Sequence, residues 1–139
     1  MKQRLADYVA DFLVAHGVTD CFSVVGGGAM HLNDALGHKE GLKVTYNHHE
    51  QACAIAAEAY ARLDNKIATV CVTTGPGGTN ALTGVVGGWL DSIPMFVISG
   101  GRNTAEQIVS MNYAQEVMGG KMNSGPLKVS EVEQQSASC

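Results

Sequence analysis

The chain has 139 residues, 45% of them hydrophobic, with 9 basic and 13 acidic side chains and a net charge of −4. That suffices for one compact domain with its own core and is too little for two ordinary ones, and the singly scattered Lys and Arg, with no basic stripe, argue against a nucleic-acid partner. No apolar run approaches the ~20 residues of a membrane span, and Met1 to Arg4 leads into an amphipathic pattern instead of a signal-peptide core, so a cytoplasmic location is expected.

Leu5, Val9, Phe12 and Leu13 recur at helical spacing, with Gly17 where a helix C′ residue belongs; this predicts a helix from about Lys2 to His16. Asp20 to Val25 is short, apolar and β-branched, and it runs into Gly26, Gly27 and Gly28 before a second helical pattern through Met30, Leu32 and Leu36. The same order of strand, turn and helix repeats. Leu42 to Tyr46 reads as a strand and His48 to Leu63 as an alanine-rich helix. Ile67 to Thr73 reads as a strand opening onto a turn at Gly75-Pro76-Gly77-Gly78, with a helix following through Trp89. A last strand spans Pro94 to Ile98. Strands alternating with helices, and apolar on both faces, imply an α/β fold with a parallel central sheet covered by helices on both sides. In such sheets ligands bind beyond the carboxyl ends of the strands, where the glycine turns, Asn47 to Glu50 and Thr73 to Thr79 all fall. A further helix is expected from Thr104 to Met118. The domain is therefore expected to occupy residues 1–118, with 119–139, rich in Ser, Gln, Gly and Lys, as a poorly ordered polar tail.

Cys21, Cys53, Cys71 and Cys139 form no C-x-x-C pair and no cluster with His at metal-ligand spacing; they read as buried hydrophobes or, for Cys139, a tail thiol. His48, His49, Glu50 and Cys53 are the one local temptation, but adjacent helical side chains diverge by about a hundred degrees. No metal site is expected from them. The glycine turns fail the phosphate-binding spacings: Gly75-Pro76-Gly77-Gly78 lacks the Lys-Ser/Thr that ends a P-loop, and the sixth positions of the two clusters are His31 and Asn80 where G-x-G-x-x-G needs glycine. Glycine there lets the chain turn sharply or approach something closely. Asn47 and Glu50 are spaced as in a capping box, which accounts for Glu50 structurally. The helix behind it is Ala52, Ala54, Ile55, Ala56, Ala57 and Ala59, however, and a carboxyl among apolar neighbours at a ligand-binding strand end suits proton transfer. Gly84 and Gly88 are four apart, which permits close helix packing and needs no function. Asp91 to Pro94 reads as a turn.

Three segments in order carry a resemblance: Tyr46 to Arg62, Val72 to Ala81, and Trp89 to Gly100. Together they resemble the N-terminal, pyrimidine-binding domain of the acetolactate-synthase-like thiamine-diphosphate enzymes, from about Arg4 to Gly100, with Tyr113 to Glu116 as a fainter match. The resemblance implies that Glu50 is the catalytic glutamate, bonding the pyrimidine nitrogen N1′ so that the neighbouring nitrogen removes the thiazolium C2 proton. It implies cofactor contacts from Val25, Gly26 and Gly27, with Gly26 where Pro is usual, and from Glu50, Thr74, Gly75, Gly77 and Asn80. His49 is a further polar candidate. The substrate implied is a small 2-oxo acid such as pyruvate, in decarboxylation or carboligation.

Family members also hold Mg²⁺ and the cofactor's phosphates on a diphosphate-binding domain with a Gly-Asp-Gly signature, and this sequence contains no Gly-Asp-Gly. The expected partners are therefore such a domain, from the same gene or a separate subunit, and a second copy of the chain in a homodimer or higher oligomer. The chain alone should be inactive. A non-catalytic dimerising remnant of the same fold stands as an alternative, and a Rossmann-like nucleotide binder rests only on the strand, turn and helix order.

Overall fold

A computed structural model describes residues 3–101. The boundary at residue 118, the helix over 104–118, Tyr113 to Glu116, the tail and Cys139 lie outside the described residues. Within them the order is α1 (Leu5–Ala15), β1 (Asp20–Ser23), a 3-10 turn (Gly27–Ala29), α2 (Met30–His38), β2 (Lys43–Tyr46), α3 (Glu50–Asp64), β3 (Ala68–Val72), α4 (Pro76–Leu90) and β4 (Met95–Ser99). All strand pairings are parallel, in the order β2-β1-β3-β4. Phe22 of β1 stands between Thr45 of β2 and Val70 of β3, and Val70 pairs in turn with Val97 of β4. The expected parallel sheet with helices on both faces is what the chain forms.

Side chains alternate across a strand, so β3 feeds two cores. Cys71 joins Ala6, Ala10 and Leu13 of α1 and Ala35 and Leu36 of α2, with Phe96 and Ile98 of β4 packed against them. Ala68, Val70 and Val72 point the other way, to Cys53, Ala54, Ala57 and Ala61 of α3 and Ala81 of α4, with Met95 and Val97 alongside. All five residues of β3 are buried in consequence. On α1 the buried stripe is Ala6, Ala10 and Leu13. Leu5 stays exposed and Phe12 stacks on His16 at a centroid distance of 3.9 Å, because both lie beside the stripe that Ala6, Ala10 and Leu13 turn to the sheet.

The helix ends follow local chemistry. After α1, Gly17 sits at φ +79° and donates to Val14 O, while the Val18 N–H reaches Leu13 O, both at 3.0 Å. This is the Schellman closure, and Leu13 and Val18 share the adjoining core. Asn65 ends α3 in the left-handed region at φ +52°, its N–H on Ala61 O. Burial pushes the Cys21 thiol well up and the Cys71 thiol up to about 11, so these cysteines are inert hydrophobes, as expected. Among the described residues no helix is long and apolar enough to cross a membrane.

Candidate cofactor site

The strand order reverses between β1 and β3: the chain leaves β1 for β2 on one side and β3 for β4 on the other. A crevice opens beyond the carboxyl ends at such a switch point. The segments around it are Val24 to Gly28 after β1, Asn47 to Glu50 after β2, Thr73 to Asn80 after β3, and Gly100 after β4.

Glu50 enters as the first residue of α3. The capping box is not what holds it there: the N-cap is His49, whose Nδ1 accepts the Gln51 N–H at 3.1 Å. Asn47 instead extends the pairing of β2 with β1, its N–H on Ser23 O at 2.9 Å, and its side-chain amide donates to Cys53 Sγ at 3.4 Å. Burial raises that thiol above its ordinary range, which leaves Cys53 a packing group and not a nucleophile. With His49 bonded to the backbone of its own helix, Glu50 is free to look outward across the crevice.

What it faces is the start of α4. The expected turn over Gly75 to Gly78 is shorter than its glycines suggest, since only Gly75 leaves helical geometry, at φ +59° and ψ −118°. Pro76 takes the first helical position, where its missing N–H costs nothing. Asn80 Nδ2 donates to Glu50 Oε2 at 3.1 Å. A Cβ on Gly77 would lie 3.6 Å from Glu50 Oε1 and 2.8 Å from Thr73 Cγ2. Oε1 has no hydrogen-bond partner among the described residues.

Glycine sets the spacing of the other loops too. A Cβ on Gly26 would meet Thr73 Cβ at 2.4 Å, one on Gly28 would meet Thr74 Cγ2 at 2.4 Å, and one on Gly100 would meet Gly28 O at 2.6 Å. Ser23 Oγ ties the base of the first loop to Cys71 O at 2.8 Å, with Asn33 Oδ1 at 3.2 Å. Of the candidate residues, Gly26 and Gly77 thus abut Thr73, Glu50 lies beside Gly77 and is bonded by Asn80, and Thr74 abuts Gly28 of the neighbouring loop. Val25, Gly27 and Gly75 are exposed, and a Cβ on either glycine would meet nothing within 4 Å.

A single seam fixes this geometry. Gly77, Ala81, Gly84 and Gly88 form the buried face of α4. A Cβ on Gly84 would sit 2.6 Å from Ala54 Cβ and 2.7 Å from Ile55 N, and one on Gly88 3.4 Å from Glu58 Cγ. The helices run side by side from Glu50 and Gly77 at one end to Glu58 and Gly88 at the other. Asp91 closes the far end by pairing with Arg62, which also pairs with Glu58. Its motif is therefore structural, and the pairs are exposed enough to add little stability.

Over residues 3–123 the sequence matches the family described as thiamine pyrophosphate enzyme, N-terminal TPP binding domain. The chain belongs to this family. Among curated relatives it is 40% identical over 111 residues to the acetolactate synthase large subunit of Buchnera aphidicola subsp. Schizaphis graminum, an alignment covering 80% of this chain and 19% of that one. The Escherichia coli K12 isozyme 3 large subunit is 36% identical over 111 residues (80% and 19%), and the isozyme 2 large subunit 41% over 95 (68% and 17%). The chain spans under a fifth of the length of these relatives. Membership agrees with the parallel α/β fold and with the acetolactate-synthase-like resemblance of the three segments.

Sequence reasoning placed Gly28 and Thr73 at the ligand-binding strand ends and Gly100 in the third matching segment, but assigned no contact to any of the three, which shape the crevice of this thiamine-enzyme domain. The available signal was adjacency: once β1 and β3 are neighbours, the loops leaving them must touch, and small residues in one mark where the other comes close.

Proposed function

We propose that this chain supplies the pyrimidine half of a thiamine-diphosphate site in an acetolactate-synthase-like enzyme acting on 2-oxo acids, by decarboxylation or carboligation. The observation that carries this reading is the Glu50 carboxylate at the switch-point crevice, with Oε2 held by Asn80 and Oε1 open beside Gly77. A carboxylate oxygen without a donor is the complement of a ring nitrogen that carries a proton. Glycines that bring three loops close without side chains suit a flat heterocycle approached by backbone. The residues present thus fit the pyrimidine end of the cofactor.

In this reading Glu50 holds a proton at the pyrimidine N1′, Gly26, Gly75 and Gly77 let backbone come close to the ring, and Val25, Gly27 and Thr74 line the approach. The bound cofactor supplies the carbanion chemistry at its thiazolium carbon. Its phosphates and Mg²⁺ are left to a diphosphate-binding domain of the same gene or of another subunit. Mixing the chain with a separately produced diphosphate-binding domain and Mg²⁺, then titrating thiamine diphosphate by calorimetry, tests this. Replacing the charged acceptor by Glu50→Gln is expected to weaken binding about 10- to 100-fold. Equal affinity of parent and variant would remove Glu50 from its role, and no binding in either would favour the non-catalytic remnant.

The oligomer proposed is a homodimer through the outer face of α3. Ala52, Ile55, Ala59 and Leu63 fall there at spacings of three and four, all exposed. Sedimentation of the chain should give a dimer that Ile55→Glu dissociates. A parent that sediments only as monomer would refute this.

A further inference from the structure

The resemblance counts Asn80 among the groups that touch the cofactor, but its geometry serves a different task. We infer that Asn80 is a positioning residue: it acts on the cofactor through Glu50, by fixing the plane of the carboxylate so that Oε1 alone faces the pyrimidine. This rests on the half-site reading above.

An ionised carboxylate only accepts hydrogen bonds, so of the two ends of the Asn80 amide it is Nδ2–H that must face Glu50, and the 3.1 Å contact to Oε2 is of that kind. The terminal torsion of a glutamate is broad and nearly two-fold. Without a partner the carboxylate would rotate and present either oxygen, or neither, toward the crevice. The Asn80 bond stops that rotation and turns Oε2 toward α4. The other oxygen lies on the Gly77 side, 3.6 Å from where a Cβ on that residue would stand, so the missing side chain leaves room beside it. The two residues are 30 apart in sequence and meet because Gly77, Ala81, Gly84 and Gly88 bring α4 against α3. The Asn80 side chain is exposed and forms no other hydrogen bond among the described residues, so its amide is dedicated to Glu50.

Two measurements test this on the full chain. The first needs no ligand: in the ¹⁵N-labelled chain, the side-chain amide resonances of Asn80 should move on Glu50→Gln, while those of Asn33 and Asn65 stay. An unmoved Asn80 amide would overturn the proposal outright. The second uses the chain with its diphosphate-binding domain and compares thiamine diphosphate with an analogue in which N1′ is replaced by carbon. The parent should prefer the true cofactor, and Asn80→Ala should reduce that preference about tenfold while leaving affinity for the carbon analogue unchanged.

Equal losses for both ligands would mean that Asn80 contacts the ring directly, and would overturn the positioning role while sparing the half-site. A parent with no preference between the two ligands would sink the half-site reading and this one with it. Asn80 is exposed and alanine suits a helix better, so the variant should fold. Asn80→Asp, of nearly the same shape but with oxygen in place of the donor, should lose the preference likewise; if it keeps the preference, the proposal fails.

Discussion

Gly84→Val is expected to destabilise the chain by about 3 kcal/mol or more in chemical denaturation, while Gly87→Ala, in the same helix, should stabilise it by up to ~1 kcal/mol. The difference lies in what each new Cβ meets. At Gly84 it would stand 2.6 to 2.8 Å from Ala54 and Ile55, and two of the three nearest atoms are backbone of α3, which cannot swing aside as a side-chain tip can. The helices would have to separate, opening the packing of Ala54, Ala57 and Ala81 that joins them to β3. At Gly87 nothing lies within 4 Å, so only the helix-propensity gain over glycine remains. Equal responses at the two positions would show that α4 does not present the Gly84 face to α3.

The second large effect is expected at the crevice itself. Gly100→Val should cost about 3 kcal/mol, because its Cβ would lie 2.6 Å from Gly28 O, 2.9 Å from Gly28 C and 3.0 Å from Ala29 Cβ. Gly100 cannot retreat, since its N–H is bonded to Val72 O at 2.8 Å at the end of the β3–β4 pair. The strain should therefore fall on the loop after β1. Amide resonances of Gly26 to Ala29 should shift with the loss of stability, and a variant as stable as the parent would contradict the contact.

Helices, strands and their alternation were legible because each is a local matter of periodicity and end signals. Gly17 announced the end of α1, and the β-branched run at Ala68 to Val72 announced a strand buried on both faces. The starts of α3 and α4 were harder. Asn47 has the right spacing from Glu50 for a capping box, but pairing of β2 with β1 carries on to Asn47 and draws it into the sheet's edge, so His49 becomes the cap. The glycines at 77 and 78 look like a turn, yet Pro76 at a first helical position begins the helix before them. The spacing of Gly84 and Gly88 declared a close contact without naming the partner. Which helix lies opposite depends on the strand order β2-β1-β3-β4, as does the meeting of Glu50 with Asn80. The contacts of Thr73 and Gly100 were not legible for the same reason, since they are made with loops that adjoin only in the folded sheet.

The seam between α3 and α4 has a consequence for motion. Its buried residues are Ala and Gly, with Cys53 as the largest, and Ala and Gly have no side-chain rotamers to lose on burial. Two helices joined through long side chains can slide as those side chains exchange conformers, but here backbone rests almost directly on backbone. The spacing of the backbones that carry Glu50 and Asn80 is thus set by two rigid rods, and heating that loosens the leucine-bearing face of α1 and α2 has little to repopulate along this line.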